Sequence, residues 1–345
     1  MSSFKPYRRY YRPLVQQGPV RQPGAALLAG GPLWFTHAEV LSRDEPARIV
    51  PVEAVHSRML TCLTAPRAPI AGLMMDQVRI MGILNVTPDS FSDGGDHHGA
   101  AHAAAHGMTM AANGADMIDI GGESTRPGAL EVPVEAEIAR VEPAVTALAS
   151  RINVPISIDT RKSTVAQAAV GAGASMVNDV SGFTFDPELA KFCASHHLPV
   201  CIMHTSDIPE VMASKTDYDN LLLDIYDFLG VQIARVQDLG IPRARIVIDP
   251  GLGFGKTGAQ NLRLINNLSL FHGHGVPILI GASRKGFIRD IGKAQDPKSR
   301  MPGSIAVALA AAGQGAQILR VHDVAETKQA LRLWAAVRDG ESHGA

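Results

Sequence analysis

From residue 77 onward the chain repeats one pattern: a short run of β-branched or aliphatic residues, a turn, and an Ala-rich stretch of helical character. The pattern occurs eight times, with the short runs at residues 78–84, 117–120, 156–158, 176–177, 199–203, 246–248, 278–280 and 318–321. Helical stretches such as 100–112, 134–149, 164–172, 218–239, 305–312 and 324–337 follow them. Strands that alternate with helices run parallel, because each helix carries the chain back to the edge it started from. Eight such units in roughly 265 residues are the size of a closed (β/α)8 TIM barrel, an α/β fold. A doubly wound open sheet is the alternative architecture.

Residues 1–76 differ in texture. Residues 35–41 and 48–52 read as two short strands around the turn-rich Ser42-Arg43-Asp44-Glu45-Pro46, and Pro66 and Pro69 punctuate a link. This predicts an N-terminal appended segment, 1–76, with a small β subdomain of unknown purpose, ahead of a barrel spanning 77–345. Lys5, Arg8, Arg9, Arg12 and Arg21 all precede the first acid, Glu39, with Tyr7, Tyr10 and Tyr11 interleaved. Pro6, Pro13 and Pro19 break any amphipathic targeting helix there, so the start reads as a structural arm or tail.

Composition removes several function classes. Hydrophobic residues make up 46% and charged residues 19%, the balance of a globular chain. Lys plus Arg number 32 against 33 for Asp plus Glu, so no chain-wide basic field exists to attract nucleic acid. No stretch approaches the ~18 uninterrupted apolar residues of a membrane span. Cys62, Cys193 and Cys201 are widely spaced and form no C-x-x-C pair, which fits a reducing compartment and a cytoplasmic location.

The strand-like runs end in polar groups: Asn85, Glu123, Asp159, Asn178 with Asp179, His204, Asp249, Ser283 with Lys285, and His322 with Asp323. In a parallel barrel all these ends open on one face, so they converge on one pocket. Helix capping accounts for some of the Asp, Asn and Ser residues, but not for two His and a Lys in the same series. The run from Asp249 to Gly258 is not a phosphate-binding P-loop, because Pro250 stands where the first glycine is needed. Gly253-x-Gly255-x-x-Gly258 lacks a nearby downstream acid, the first being Asp290, which argues against a dinucleotide site. A glycine-rich loop hugging a flat ligand, with Phe254 packed on it, fits better. His98, His102 and His106 have a spacing that could hold a metal, but the intervening alanines favour an ordinary helix face. Most methionines read as core filler; Met203, at a strand mouth, is the exception.

The stretches Ile83-Leu84-Asn85-Val86-Thr87-Pro88-Asp89-Ser90-Phe91-Ser92-Asp93-Gly94-Gly95 and Asp119-Ile120-Gly121-Gly122-Glu123-Ser124-Thr125-Arg126-Pro127-Gly128 resemble the two signatures of the dihydropteroate synthase family. Ile158-Asp159-Thr160, Asn178-Asp179-Val180-Ser181-Gly182, Met203-His204, the Asp249 to Lys256 run, Ser283-Arg284-Lys285 and Arg320-Val321-His322-Asp323 follow in the family's order. Such enzymes join a pterin methylene diphosphate to p-aminobenzoate and release pyrophosphate. The resemblance implies that Asp159, Asn178, Asp249 and Lys285 hold the pterin, while Met203, Phe254 and Gly281 shape its slot. It also implies that Asn85 and the Arg320-Val321-His322 end hold the diphosphate, with Asn85 on Mg²⁺. Arg320, His322 and Lys285 carry the catalytic roles. Ser124, Thr125, Arg126 and Pro127 lie in the loop that forms the p-aminobenzoate site, and a homodimer is expected.

The chemistry agrees with these roles. A pterin edge presents adjacent N–H donors that a carboxylate accepts as a pair. Loss of pyrophosphate leaves an electron-deficient methylene, so leaving-group stabilisation matters more than an enzymatic nucleophile. An arylamine is already nucleophilic and needs mainly positioning. Two positions depart from the family pattern. Gly286 leaves only backbone N–H groups for the p-aminobenzoate carboxylate, and Thr205-Ser206-Asp207-Ile208 replaces a Gln-Gly-containing stretch. The loops at 89–95 and 123–128 hold little apolar area, so they are expected to close through Ser90, Ser92 and Arg126 once the pterin diphosphate binds. Two alternatives are a corrinoid-linked methyltransferase on the same barrel and a catalytically silent paralogue.

Overall fold

The computed structural model describes residues 8–86, 96–124, 129–206 and 216–341. The loop at 89–95, with Ser90 and Ser92, lies outside them, as do Thr125, Arg126, Pro127 and the Asp207-Ile208 pair. The N-terminal segment contains β1 (Tyr10–Pro13), β2 (Ala26–Leu27), β3 (Trp34–Phe35), β4 (His37–Leu41), β5 (Arg48–Pro51) and α1 (Ser57–Thr64). The barrel follows as β6 (Arg79–Asn85), α2 (Asp96–Ala112), β7 (Met117–Gly121), α3 (Val134–Ala149), β8 (Ile156–Asp159), α4 (Ser163–Ala172) and β9 (Met176–Asp179). It continues with α5 (Pro187–Ser195), β10 (Val200–Met203), α6 (Leu221–Asp238), β11 (Ile246–Asp249), α7 (Gly258–Asn266) and β12 (Leu279–Ile280). The last elements are α8 (Gly286–Gly292), α9 (Met301–Gly313), β13 (Ile318–Val321) and α10 (Val324–Asp339).

Eight parallel strands form one sheet in the order β11-β10-β9-β8-β7-β6-β13-β12. A single parallel bridge, Ile248 to Ile278, joins its two edges and closes the barrel. Several strands run one or two residues further than their apolar runs, because a polar side chain does not stop its backbone from pairing. Asn85 pairs with Gly121, Asp159 with Asn178, and Met203 with Asp249. The mouth is therefore built on ladder positions rather than on loops. Period-two alternation sends Ile80, Leu84, Ile118, Ile120, Ile158, Val177 and Ile202 outward into the main core against the helices.

The opposite set, Met81, Met117, Met176, Cys201, Val247, Leu279 and Ile318, forms a separate cluster inside the barrel. Ile70 and Met75, from the segment before β6, join that cluster and are buried at 0% and 2% exposure, so the appended segment plugs the barrel floor. Its β1 pairs antiparallel with β4, which pairs with β5, in a three-stranded sheet. What the sequence suggested as an arm is thus an anchored strand from residue 10. Tyr10 is buried, meets Tyr226 edge-on at 5.2 Å, and donates its hydroxyl to both Asp227 oxygens at 2.9 Å.

Candidate active site

Alternation places Asp119, Asp159, Asn178, Met203, Asp249 and Arg320 on the inner face, one layer above the apolar floor. Arg320 reaches from β13 across the barrel, donating from Nε to Asp119 at 2.6 Å and from Nη2 to Asp159 at 2.8 Å. Asn178 donates to the same Asp119 oxygen at 3.1 Å. Two carboxylates could not be buried so close together without that guanidinium. Burial still pushes Asp159 upward against the pull of Arg320. The second oxygens, Asp119 Oδ1 and Asp159 Oδ1, are buried and receive no hydrogen bond among the described residues. Buried acceptors of this kind call for a ligand with N–H donors.

Opposite them stands Asp249. One of its oxygens accepts the Gly251 N–H at 2.7 Å, and burial raises the carboxyl to about 6 against that bond and the charges of Lys285, Lys256 and Arg320. Between Asp249 and Arg320 the wall is Gly281. A Cβ there would stand 3.8 Å from Asp249 and 3.9 Å from Arg320, so a larger side chain would project into the space between them. The Lys285 ammonium sits 4.1 Å from the Phe254 ring centroid. Met203, Phe254 and Val180 form a small apolar cluster of their own, giving one flat wall beside a polar edge.

The glycine-rich loop after β11 is clamped from beneath. Lys256 is buried and donates to Gly251 O at 2.9 Å and Phe254 O at 2.8 Å, with His204 Nδ1 at 3.0 Å. Burial lowers this lysine to about 7, and burial beside Lys256 pushes His204 well below its ordinary value, leaving the imidazole neutral as an acceptor. Gly251, at φ +73°, permits the approach, since a Cβ would lie 1.9 Å from His204 O.

At the rim, Asn85 is exposed at the end of β6. Ser283 Oγ lies 3.0 Å from His322 Nδ1 and fixes the ring, while Arg284 pairs with Asp323 behind it. Val321 does not line the slot with its side chain: alternation turns it outward, into the core against the helices. Ser124 is exposed where its loop begins. The preceding Glu123 accepts from Arg161 at 3.1 Å, from Lys162 at 3.3 Å and from Val132 N at 2.9 Å. Lys162 also binds Glu137 at 2.8 Å, so both stems of the 124–131 segment are fastened to the residues after β8.

Asp119, Val180 and Lys256 emerge only here as parts of the site. Asp119 was legible as an inward position on its strand, two residues before Gly121. The Lys256 clamp depends on a fold-back that no spacing reveals. His102 and His106 lie exposed on α2, and among the described residues no group of three or more metal-ligating side chains gathers.

The family of pterin-binding enzymes matches residues 81–322. The chain belongs to this family. Among its relatives, dihydropteroate synthase of Escherichia coli (strain K12) is 44% identical over 261 residues, covering 76% of this chain and 92% of the relative. Dihydropteroate synthase of Xanthomonas albilineans, solved with 4-aminobenzoic acid, superposes with a TM-score of 0.74 at 45% identity, covering 79% of this chain and 98% of that one. The same enzyme in complex with 7,8-dihydropteroate gives a TM-score of 0.72 at 43% identity, with the same coverage.

Proposed function

We propose that the barrel is a dihydropteroate synthase, a transferase of folate biosynthesis. It condenses (7,8-dihydropterin-6-yl)methyl diphosphate with 4-aminobenzoate to give 7,8-dihydropteroate and pyrophosphate. The observation that carries this is the slot itself: buried carboxylate acceptors on one edge, the flat Met203–Phe254 wall beside them, and an open position in front of Gly281. A pterin offers donors along one edge of a flat ring, the complement of that surface.

In this reading Asp249, Asp159 and Asn178 hold the pterin edge, with Asp119 behind them, and Lys285 over Phe254 closes the slot. The carbon–oxygen bond to the diphosphate breaks ahead of attack, and the arylamine nitrogen then bonds to the electron-deficient methylene carbon. Pyrophosphate leaves with the electron pair, and the nitrogen releases a proton to solvent. His322, oriented by Ser283, holds the departing charge together with Asn85. Arg320 does two things, bracing the carboxylates and adding positive charge beneath the diphosphate. The 124–127 loop positions the arylamine.

The exposed Asn85 suits Mg²⁺, which is held by few protein oxygens and completes its shell with phosphate and water. Bound there, the ion would neutralise charge on the leaving group. A homodimer and a cytoplasmic location complete the proposal; sedimentation at micromolar concentration tests the former. The activity is tested by supplying both substrates and following dihydropteroate and pyrophosphate. We expect His322→Ala to lower kcat by ~100-fold, as loss of one transition-state donor does. Absence of product from the wild-type protein with Mg²⁺ present would overturn the assignment. Arg320→Ala is a less clean test, since it also strands Asp119 and Asp159 without a counter-charge.

A further inference from the structure

A second cavity, of about 1100 Å³, opens where the appended segment meets the barrel, and its lining includes none of the slot residues. Its walls are α1, the β4–β5 turn, the approach to β1, and the 3-10 segment Leu268–His274 with its flanking residues. The appended segment, residues 1–76, lies wholly outside the family match, so the family's reaction leaves this cavity without a role.

The lining carries Arg8, Arg9, Arg58, Arg67 and Arg243 against two acids, Asp44 and Glu45. Glu45 answers Arg9, at 3.7 Å. The other four arginines form no ion pair among the described residues. Arg67, 5% exposed, donates to the Cys62 and Ala65 carbonyls at 2.8 and 3.1 Å, and to the His272 carbonyl at 3.2 Å. Arg243 donates to the carbonyl of His274. Carbonyl dipoles orient a guanidinium but do not neutralise it, so the positive charge stays directed at the cavity.

Two further observations point the same way. Arg67 Nε, on a buried lining residue, finds no hydrogen-bond partner among the described residues. The α1 helix enters the cavity wall through His56 and Arg58, and among the described residues no side chain caps its N-terminus, so its first N–H groups keep their capacity for an acceptor. Tyr11 and Met59 supply apolar surface in the same wall.

We infer that this cavity is a binding site for an organic polyphosphate of nucleotide size. Its phosphates meet the arginines and the start of α1, and its organic part lies against Tyr11 and Met59. The guanidinium fork matches phosphate oxygens two at a time, which favours phosphate over a halide or a single carboxylate. The volume, about 1100 Å³, exceeds what a lone pyrophosphate fills and lies just above the usual span of small-molecule sites, roughly 300–1,000 Å³, leaving room for an organic group as well as phosphates.

The test separates this cavity from the barrel mouth, which has its own affinity for phosphates. Calorimetric titration uses the full chain carrying Asn85→Ala and His322→Ala, which disables the mouth. The probes are ATP, inorganic tripolyphosphate, adenosine and citrate, each without added metal. We expect ATP to bind one-to-one, tripolyphosphate to bind several-fold more weakly, and adenosine and citrate to bind negligibly. Adding Arg58→Ala and Arg243→Ala, both at exposed positions, should raise the dissociation constant for ATP at least tenfold. The melting temperature and, in an otherwise wild-type chain, the basal turnover should not change. Binding unaltered by those two substitutions would overturn the inference, as would citrate binding as tightly as tripolyphosphate or ATP failing to bind.

Discussion

Burial raises the Asp249 carboxyl to about 6, so the group proposed to read the pterin is also one the folded chain is reluctant to ionise. Between its unfolded value near 4 and about 6, the native state binds more protons than the unfolded one. Its contribution to stability is therefore complete below pH 4 and lost as pH rises to 6. Asp249→Asn should accordingly be more stable than wild type at pH 7, by at most about 3 kcal/mol, with the difference vanishing near pH 4. Chemical denaturation at the two pH values measures this. Binding has the opposite requirement: the ionised form accepts the donors, so kcat/KM for the pterin substrate should fall below pH 6, and pterin affinity should be lost in Asp249→Asn. Equal stability of the two proteins at pH 7 would mean that the carboxylate is better solvated than its burial implies. The sequence made Asp249 visible as a strand end beside glycines. It could not show that Lys256 folds back under the same loop, because three acceptors converge there only once the chain has turned at Gly251.

At the scale of elements, the loop expected to receive 4-aminobenzoate is held at its stems rather than along its length. Glu123, at the end of β7, and Val132, just before α3, meet at Lys162 after β8. Glu123→Gln keeps the shape but weakens the charge-assisted bonds to Arg161 and Lys162. Steady-state kinetics should show KM for 4-aminobenzoate rising several-fold, with pterin binding measured by titration unchanged; a matching loss of pterin affinity would place these stems in the pterin slot instead. The strands were legible because alternation from two packed faces leaves a dense aliphatic signal. Their ends were less so, since β8, β9 and β11 finish on carboxylates whose backbones still pair. Two-residue β12 shows the same limit: Ile278 keeps only a bridge, although its side chain is as buried as those of its neighbours. Burial writes the hydrophobic pattern and register writes the ladder, and the two differ by up to two residues at a strand end.

For the whole molecule, the appended segment has become part of the barrel's support. Met75 and Ile70 seal the floor beneath the inner cluster, so Met75→Ala should cost about 2–4 kcal/mol, read as a lower denaturation midpoint. Activity at 25 °C should persist, because the cavity it leaves lies below the polar layer; a tenfold loss of kcat without unfolding would show that floor and mouth are coupled. The sequence indicated the presence of the segment but not this role, since two apolar residues in a proline-rich link resemble any others until their neighbours are known. The bridge between Ile248 and Ile278 gives the molecule a different property. Seven of the eight strand junctions are ladders and the eighth is a clasp, so the barrel is mechanically a split ring. Its gap falls beneath Asp249 and Gly281, which form one side and the wall of the proposed ligand position. On the proposed assignment, a pterin seated there would span the opening and tie the ring shut. Amide exchange at Ile248 and Ile278 should then be among the fastest within the barrel strands of the free protein, and should slow sharply when a pterin is bound while the opposite β6–β7 junction barely responds.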